Sequence, residues 1–355
     1  MDEEKKRKPK RVALITLAAV LGVLAVAAVG VAIYANYLLG RLNYVDQGET
    51  LPTLSQEEID AVQQGDENAD VLYPEVDGDS ISWGEVDQTI GGENGIVNIL
   101  LIGQDRRPGE VRTRSDSLIL VTFNKVKKTI TMTSFMRDMY VDLPSDYKDN
   151  RINVAYYFEG MEFLNETLEL NFGVVVDANF EVDFDQFEKL INLLGGVELE
   201  LTAAEARYIN QNLENNDLKE GLNRLNGAQA LWHARNRTTG GDGDFGRTNR
   251  QREVLNTLID AYKNMSLGEA MGMLDDILPM LTTDLERSEI ISYAVTLFPM
   301  LAECQVVNQS IPVEGSYYMA NIRGMSVLVP DMEMNRQALV DSLTNQPPEV
   351  SEVQE

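Results

Sequence analysis

IVNILLIGQDRRPGEVRTRSDSLILVTFNKVKKTITMTSF (Ile96–Phe135) contains three short runs rich in apolar and β-branched residues. IVNILLIG (Ile96–Gly103) is apolar almost throughout, the pattern of a strand buried on both faces. SLILVTFN (Ser117–Asn124) and TITMTSF (Thr129–Phe135) read as two further strands, and KVKK between them as a hairpin turn. Downstream the period changes. INVAYYFEGMEFLNETLELNFG (Ile152–Gly173) has helical spacing and ends at a glycine. VVVDANFEVD (Val174–Asp183) is strand-like. FDQFEKLINLLGG (Phe184–Gly196) is an amphipathic helix stopped by two glycines. VELEL (Val197–Leu201) is another strand. From Ala203 to about Ala302 the pattern is mostly helical. VVNQSIP (Val306–Pro312) and GMSVLVPD (Gly324–Asp331) return to strand character, and MEMNRQALVDSL (Met332–Leu343) makes a last helix. Strands mixed with helices predict an α/β fold: a three-layer α-β-α domain over 95–345 with a central mixed sheet.

Upstream the chain has another character. Residues 42–94 carry 14 acids and no Lys, Arg or His, and their apolar residues are sparse. Residues 40–94 therefore read as an acidic spacer or a small, poorly packed segment. One helix is expected at SQEEID, with Ser55 as N-cap and Glu58 three residues on. Residues 1–11 form a basic tail and 12–39 an uncharged stretch. A bilayer-crossing helix takes roughly 20 residues, whereas the apolar region of a cleaved signal is about 7–15. The expectation is one retained transmembrane helix before the domain, with the basic tail cytoplasmic and everything after Gly40 outside. Residues 346–355 read as a disordered tail.

Charge narrows the partners. The tail carries +3, which leaves −30 on the remainder of a chain whose formal net charge is −27. Such a surface excludes a nucleic-acid partner, because that binding needs phosphate neutralisation by Lys and Arg. The lone cysteine, Cys304, rules out an intrachain disulfide and reads as a small buried hydrophobe.

Against that acidity, residues 96–260 hold 13 arginines but only 6 lysines. Arginine is preferred where planar, bidentate contacts to carboxylate or phosphate matter. Arg114 precedes the second strand, Arg137 follows the third, and Arg151 opens the first long helix. Arg235 and Arg237 end the helix NGAQALWHAR (Asn226–Arg235) or enter its loop. Past TTGGDGDFG, Arg247 and Gln251 lie four apart and share a helical face. Pairing with the many acids accounts for single arginines. It does not explain their gathering at element ends around a glycine-rich loop, which suits a multiply charged phosphate ligand. Asp105 follows the first strand and Asp116 begins the second, so neighbouring strands would bring two carboxylates together. Mg²⁺ is commonly held by one or two carboxylates plus ligand phosphates.

Seven stretches then fall in the order of a known family: NILLIGQDRR, TRSDSLILVTFN, SFMRDMYVDLP, RINVAYYFEG, INLLGGVELEL, LNGAQALWHARNR and GDFGRTNRQREVL. The chain resembles the LytR-CpsA-Psr family, specifically from Asn98 to Leu258 and more loosely beyond. The resemblance implies an enzyme that moves a glycopolymer, of teichoic acid or capsular polysaccharide type, from a polyprenyl diphosphate carrier to peptidoglycan. The bond formed is a phosphodiester, the cofactor Mg²⁺ and the setting the membrane lipid surface. It also implies that Asp105 and Asp116 hold the metal, and that Arg114, Arg137, Arg235, Arg237 and Arg247, with Gln251, bind the diphosphate. Arg151 stands where a lysine is usual, Met136 where a proline is, and His233 where tyrosine is frequent. By the same resemblance the catalytic group is Asp105, Asp116 and Arg137, with one of the aspartates taking the acceptor's proton. Arg252, outside the matched motif, is expected to tolerate alanine. Two rival functions share the pocket: a polyprenyl diphosphate hydrolase, and an envelope sensor of lipid-linked precursors.

Overall fold

The computed structural model describes residues 34–45, 54–65, 72–92, 95–106, 110, 112–214, 216–263, 272–273, 275–297, 300–301 and 303–344. The basic tail, residues 12–33 of the expected span and the carboxy-terminal tail lie outside the described residues. Among the described residues no helix is long and apolar enough to cross a membrane.

In chain order the first elements are β1 (Asn43–Tyr44), α1 (Gln56–Gln64), β2 (Ile96–Gln104), β3 (Ser115–Asn124) and β4 (Thr129–Phe135). A small ribbon, β5 (Tyr140–Val141) and β6 (Asn150–Arg151), precedes α2 (Asn153–Glu159) and α3 (Met161–Phe172). Next come β7 (Ala178–Asp183), α4 (Phe184–Leu193), β8 (Val197–Leu201), α5 (Ala203–Asn212), β9 (Gly221–Leu225), α6 (Gly227–Arg235) and α7 (Gly243–Lys263). The remainder is β10 (Thr282–Thr283), α8 (Arg287–Leu297), β11 (Gln305–Ile311), β12 (Tyr317–Ile322), β13 (Met325–Pro330) and α9 (Met332–Thr344).

Seven strands form one mixed sheet in the order β1-β10-β7-β2-β3-β4-β11. Its centre is the quoted stretch: β2 runs antiparallel to β3, and β3 antiparallel to β4, with Asn124 Oδ1 accepting the Val126 and Lys127 amides in the turn. β7 pairs parallel to β2, and β11 parallel to β4. β2 is buried on both faces because layers cover both. Leu100 and Ile102 join α2, α3 and α9 in one core; Val97 and Ile99 join α7 and α8 in another. A third cluster packs α4, α5, α6 and α7 on the β8–β9 pair.

Several expectations need correction. The single helix expected over 152–173 is two, because Gly160 adopts φ 86° between them, a conformation open to glycine and costly to other residues. VELEL pairs with β9, across α5, in a separate two-stranded sheet, and β12, which has no expected strand in the sequence, pairs with β13. Neither partner has a clear alternation to read. The acidic spacer is, over 72–92, packed on the domain. Ile90 is 1% exposed and its amide donates to Gly173 O at 2.7 Å; Trp83 Nε1 donates to Asp149 Oδ2 at 2.8 Å. A few apolar side chains spaced along an extended strap give no period, so composition alone reads as solvated. The helix at SQEEID begins as expected, with Ser55 and Glu58 closing a capping box.

Candidate active site

The carboxyl ends of β2, β4 and β7 and the amino end of β3 meet at one edge of the sheet. Asp105 is the residue after β2. Asp116 lies where the β2–β3 register slips: Gly103 faces Ser117, then Gln104 faces Ser115. That bulge leaves Asp116 without an opposite residue, and bulges re-aim side chains beside functional sites. The two carboxylates thus flank the same end of one strand pair.

Each carboxylate meets an arginine. Asp116 Oδ1 is bonded by Arg137 Nη1, and Asp105 Oδ2 lies 3.6 Å from Arg235 Nη2. Asp138 bridges Arg137 at 3.4 Å and Arg151 at 3.2 Å. Arg114 stands within electrostatic reach of Arg151, Asp138 and Arg137; burial and the Arg151 charge push its guanidinium below the usual value. Arg237 and Arg247 reach the two oxygens of Asp244, at 3.3 and 2.9 Å. Burial pushes Arg247 down to about 10, the Asp244 charge opposes this, and Arg137 and Arg237 add to it. Its Nε, inside the protein, has no hydrogen-bond partner. A guanidinium that has lost water and faces other cations favours an added anion. Gln251 Oε1 accepts from Ser117 Oγ at 3.0 Å, beside Asp116.

The structure therefore joins Asp116, Arg137, Arg151, Arg237 and Arg247, with Arg114 in electrostatic reach, and sets the Asp105–Arg235 pair beside a cavity. That cavity, about 360 Å³, lies between the sheet and α4, α6 and α7. Leu101, Ile119, Phe180, Phe187, Leu255 and Leu258 make its walls; Ser117, Arg235 and Gln251 are among its few polar contacts. Arg235 also lies 4.4 Å over the Phe184 ring.

Asp138 and Asp244 were missed by sequence reasoning, although each stands one or three residues from a chosen arginine. Arg250, on α7 between Arg247 and Gln251, takes another role. It is buried, its Nε donates to Glu205 Oε1 at 2.6 Å, and its Nη1 and Nη2 donate to Asn236 O at 3.1 Å and Thr239 O at 2.8 Å. It clamps the loop that separates Arg235 and Arg237 from Asp244. Arg252, expected to be dispensable, is only 5% exposed. His233 is fully buried and pairs with Glu253 at 3.1 Å, a packing position.

The LytR_cpsA_psr family model matches residues 59–340. The chain belongs to this family. It is 33% identical over 257 residues to the regulatory protein MsrR of Staphylococcus aureus (strain COL), covering 70% of this chain and 75% of that one. It is also 33% identical over 229 residues to the polyisoprenyl-teichoic acid–peptidoglycan teichoic acid transferase TagT of Bacillus subtilis (strain 168), covering 62% and 68%. A solved structure of TagT bound to LI-WTA aligns with a TM-score of 0.59 at 26% identity, over 74% of this chain and 97% of that one. The LytR-CpsA-Psr match begins within α1, so family sequence extends into the segment that composition assigns to a spacer.

Proposed function

We propose that the chain is a membrane-anchored, extracytoplasmic phosphotransferase. It takes a glycopolymer of teichoic acid or capsular type from a polyprenyl diphosphate carrier and joins it to peptidoglycan. One observation carries the reading: an apolar cavity whose few polar contacts include Arg235, Gln251 and Ser117, next to a cluster of arginines and aspartates. A greasy slot beside a multiply cationic cluster suits an amphiphile with a diphosphate head. The transferase name of the relative TagT, and its solved complex with LI-WTA, support the same reading.

In the proposed reaction an acceptor hydroxyl oxygen attacks the sugar-side phosphorus. A new P–O bond forms, the bond from that phosphorus to the bridging oxygen breaks, and polyprenyl phosphate leaves with the electron pair. The hydroxyl proton passes to the carboxylate of Asp116 or Asp105. Arg137 and Arg247 balance charge on the transferring group, Arg235 and Arg237 hold the diphosphate, and Arg114 and Arg151 flank it. The protein's contribution is positioning and charge stabilisation.

Mg²⁺ fits the donor set. Among the described residues no three His, Cys, Asp or Glu side chains gather as metal ligands. Two aspartates at one strand-pair end are the number of hard oxygen donors that Mg²⁺ takes alongside phosphates and water. Each contacts its arginine through one oxygen, leaving the other as a donor. When bound, the ion would supply further neutralisation of the diphosphate.

The test is product analysis by mass spectrometry after incubation with a polyprenyl diphosphate-linked glycopolymer, with and without peptidoglycan. Transfer predicts glycan attached to peptidoglycan through a phosphodiester, and polyprenyl phosphate release that depends on the acceptor. Equal release without peptidoglycan would make the protein a hydrolase. No turnover in either arm would leave a sensor.

A further inference from the structure

The end of the uncharged stretch and the residues just after it, 34–45, are bolted to the domain. Residues 34–39 are helical, and Leu38, Leu39 and Leu42 are each 6% exposed. β1 pairs parallel to β10: the Asn43 amide donates to Leu281 O at 3.2 Å and the Val45 amide to Thr283 O at 2.9 Å. Asn43 Nδ2 donates to Pro279 O at 2.9 Å, and Arg41 Nη2 to Asp275 O at 3.3 Å. A chain meant only as a tether would not enter the main sheet as its edge strand.

The docking point adjoins the apolar cavity. Leu281, whose carbonyl receives the Asn43 amide, is itself a cavity wall. At the start of the docked segment, Tyr34 and Tyr37 are 38% and 51% exposed, with ring centroids 6.5 Å apart. Aromatic rings with a polar tip are the side chains that settle at a membrane–water interface.

We propose that residues 34–45 form the bilayer-facing rim of the lipid entrance, with Tyr34 and Tyr37 at the headgroup level and Leu281 leading a polyprenyl tail into the cavity. The partner of this surface is the lipid bilayer. The inference deepens the transferase reading and rests on it. The segment fixes the domain's orientation, so the carrier passes from bilayer to cavity along apolar surface instead of crossing water.

Where a flexible linker is inserted decides the matter. The full-length chain is reconstituted in phosphatidylglycerol–phosphatidylcholine vesicles, with a Gly-Ser-Gly-Ser insert either between Ile33 and Tyr34 or between Gln47 and Gly48. Two donors are assayed: a long-chain polyprenyl diphosphate glycolipid in the bilayer, and a short-chain, water-soluble analogue. For a docked rim, only the first insertion frees the domain from its orientation. It should slow transfer from the bilayer donor about tenfold, as an effective-concentration loss. The second insertion should leave it unchanged, and both variants should use the soluble donor as the parent does. Equal effects of the two insertions, or no effect of either, would overturn the proposal, because a mere tether is lengthened alike at both places. Hydrogen exchange gives a readout independent of turnover. The Asn43 and Val45 amides should be protected like those of β7; exchange at the rate of an unstructured chain sinks the docking even where transfer occurs. Protected amides with no turnover of the soluble donor would instead sink the transferase reading and leave the docking standing.

Discussion

Arg247 and Arg252 lie five residues apart on α7, and burial pushes both guanidinium groups down to about 10. Their surroundings separate them. Arg247 shares Asp244 with Arg237 and faces Arg137, whereas for Arg252 burial is the sole cause of its shift and its bonded partner is neutral Asn249. A charge-assisted hydrogen bond is worth roughly 1.5–3 kcal/mol. Arg247→Ala should therefore weaken binding of a polyprenyl diphosphate analogue about ten- to a hundredfold in calorimetric titration. Arg247→Lys should restore only part of it, lacking the bidentate geometry. Arg252→Met should leave that affinity unchanged. It should also hold or raise the thermal midpoint, since a buried cation without a charged partner carries a desolvation cost that an apolar side chain does not. A loss of donor affinity in Arg252→Met equal to that in Arg247→Ala would mean general charge, not a pocket. Asp116→Ala should abolish transfer in product analysis while circular dichroism stays native, and a chelator should do the same to the parent. Full activity in chelator would remove Mg²⁺ from the account.

At the scale of elements, the α6–α7 loop holds its shape through Arg250. This side chain satisfies two loop carbonyls and Glu205 on α5. Buried Asn236 adds its own turn, its Oδ1 accepting the Thr238 amide at 3.0 Å. Removing Arg250 alone leaves Glu205 Oε1 without its cation while Oε2 keeps the Thr202 amide and hydroxyl, so the cost should stay below the roughly 3–5 kcal/mol of a fully unpaired buried charge. The double variant Arg250→Met, Glu205→Gln, which removes the charge but keeps an acceptor for the Thr202 amide, should recover most of that stability in urea unfolding. It should not recover donor affinity, because the Asn236 and Thr239 carbonyls still lack their donor and Arg235 and Arg237 lose their spacing. Recovery of both together would reduce the clamp to ordinary packing.

For the molecule as a whole, two half-buried carboxyls contribute a pH response opposite to that of most acids. Burial raises Asp177 and Asp284 above the ordinary carboxylate value, although each accepts backbone amides, from Asn98 and Asn179. In this window the folded chain keeps protons that the unfolded chain has released. Their contribution is complete below the unfolded value of about 3.9 and is lost as pH rises through the raised folded values. Asp177→Asn keeps an oxygen for the Asn98 amide and removes the half-buried charge. Its urea midpoint should exceed the parent's at pH 7 and match it near pH 3. A midpoint below the parent's at pH 7 would show that the ionised carboxylate is the better acceptor there.

Local rules suffice for the three central strands, the capped helix at Ser55 and the glycine-stopped α4, because each depends on neighbours a few residues away. The residue types at the site are legible too, since arginines at element ends in an acidic chain stand out from background. What the sequence could not supply is long-range geometry. Nothing local says that Asp116 sits in a bulge, that Asp244 joins Arg237 to Arg247, or that Arg250 turns from the pocket to hold a loop. Nor does composition show that Ile90 and Trp83 pin an acidic strap to the domain, or that Asn43 joins a strand near residue 282. Pattern and charge determined the elements and the chemistry they carry. Burial, pairing and register, which depend on residues far apart in sequence, decided which charges face one another.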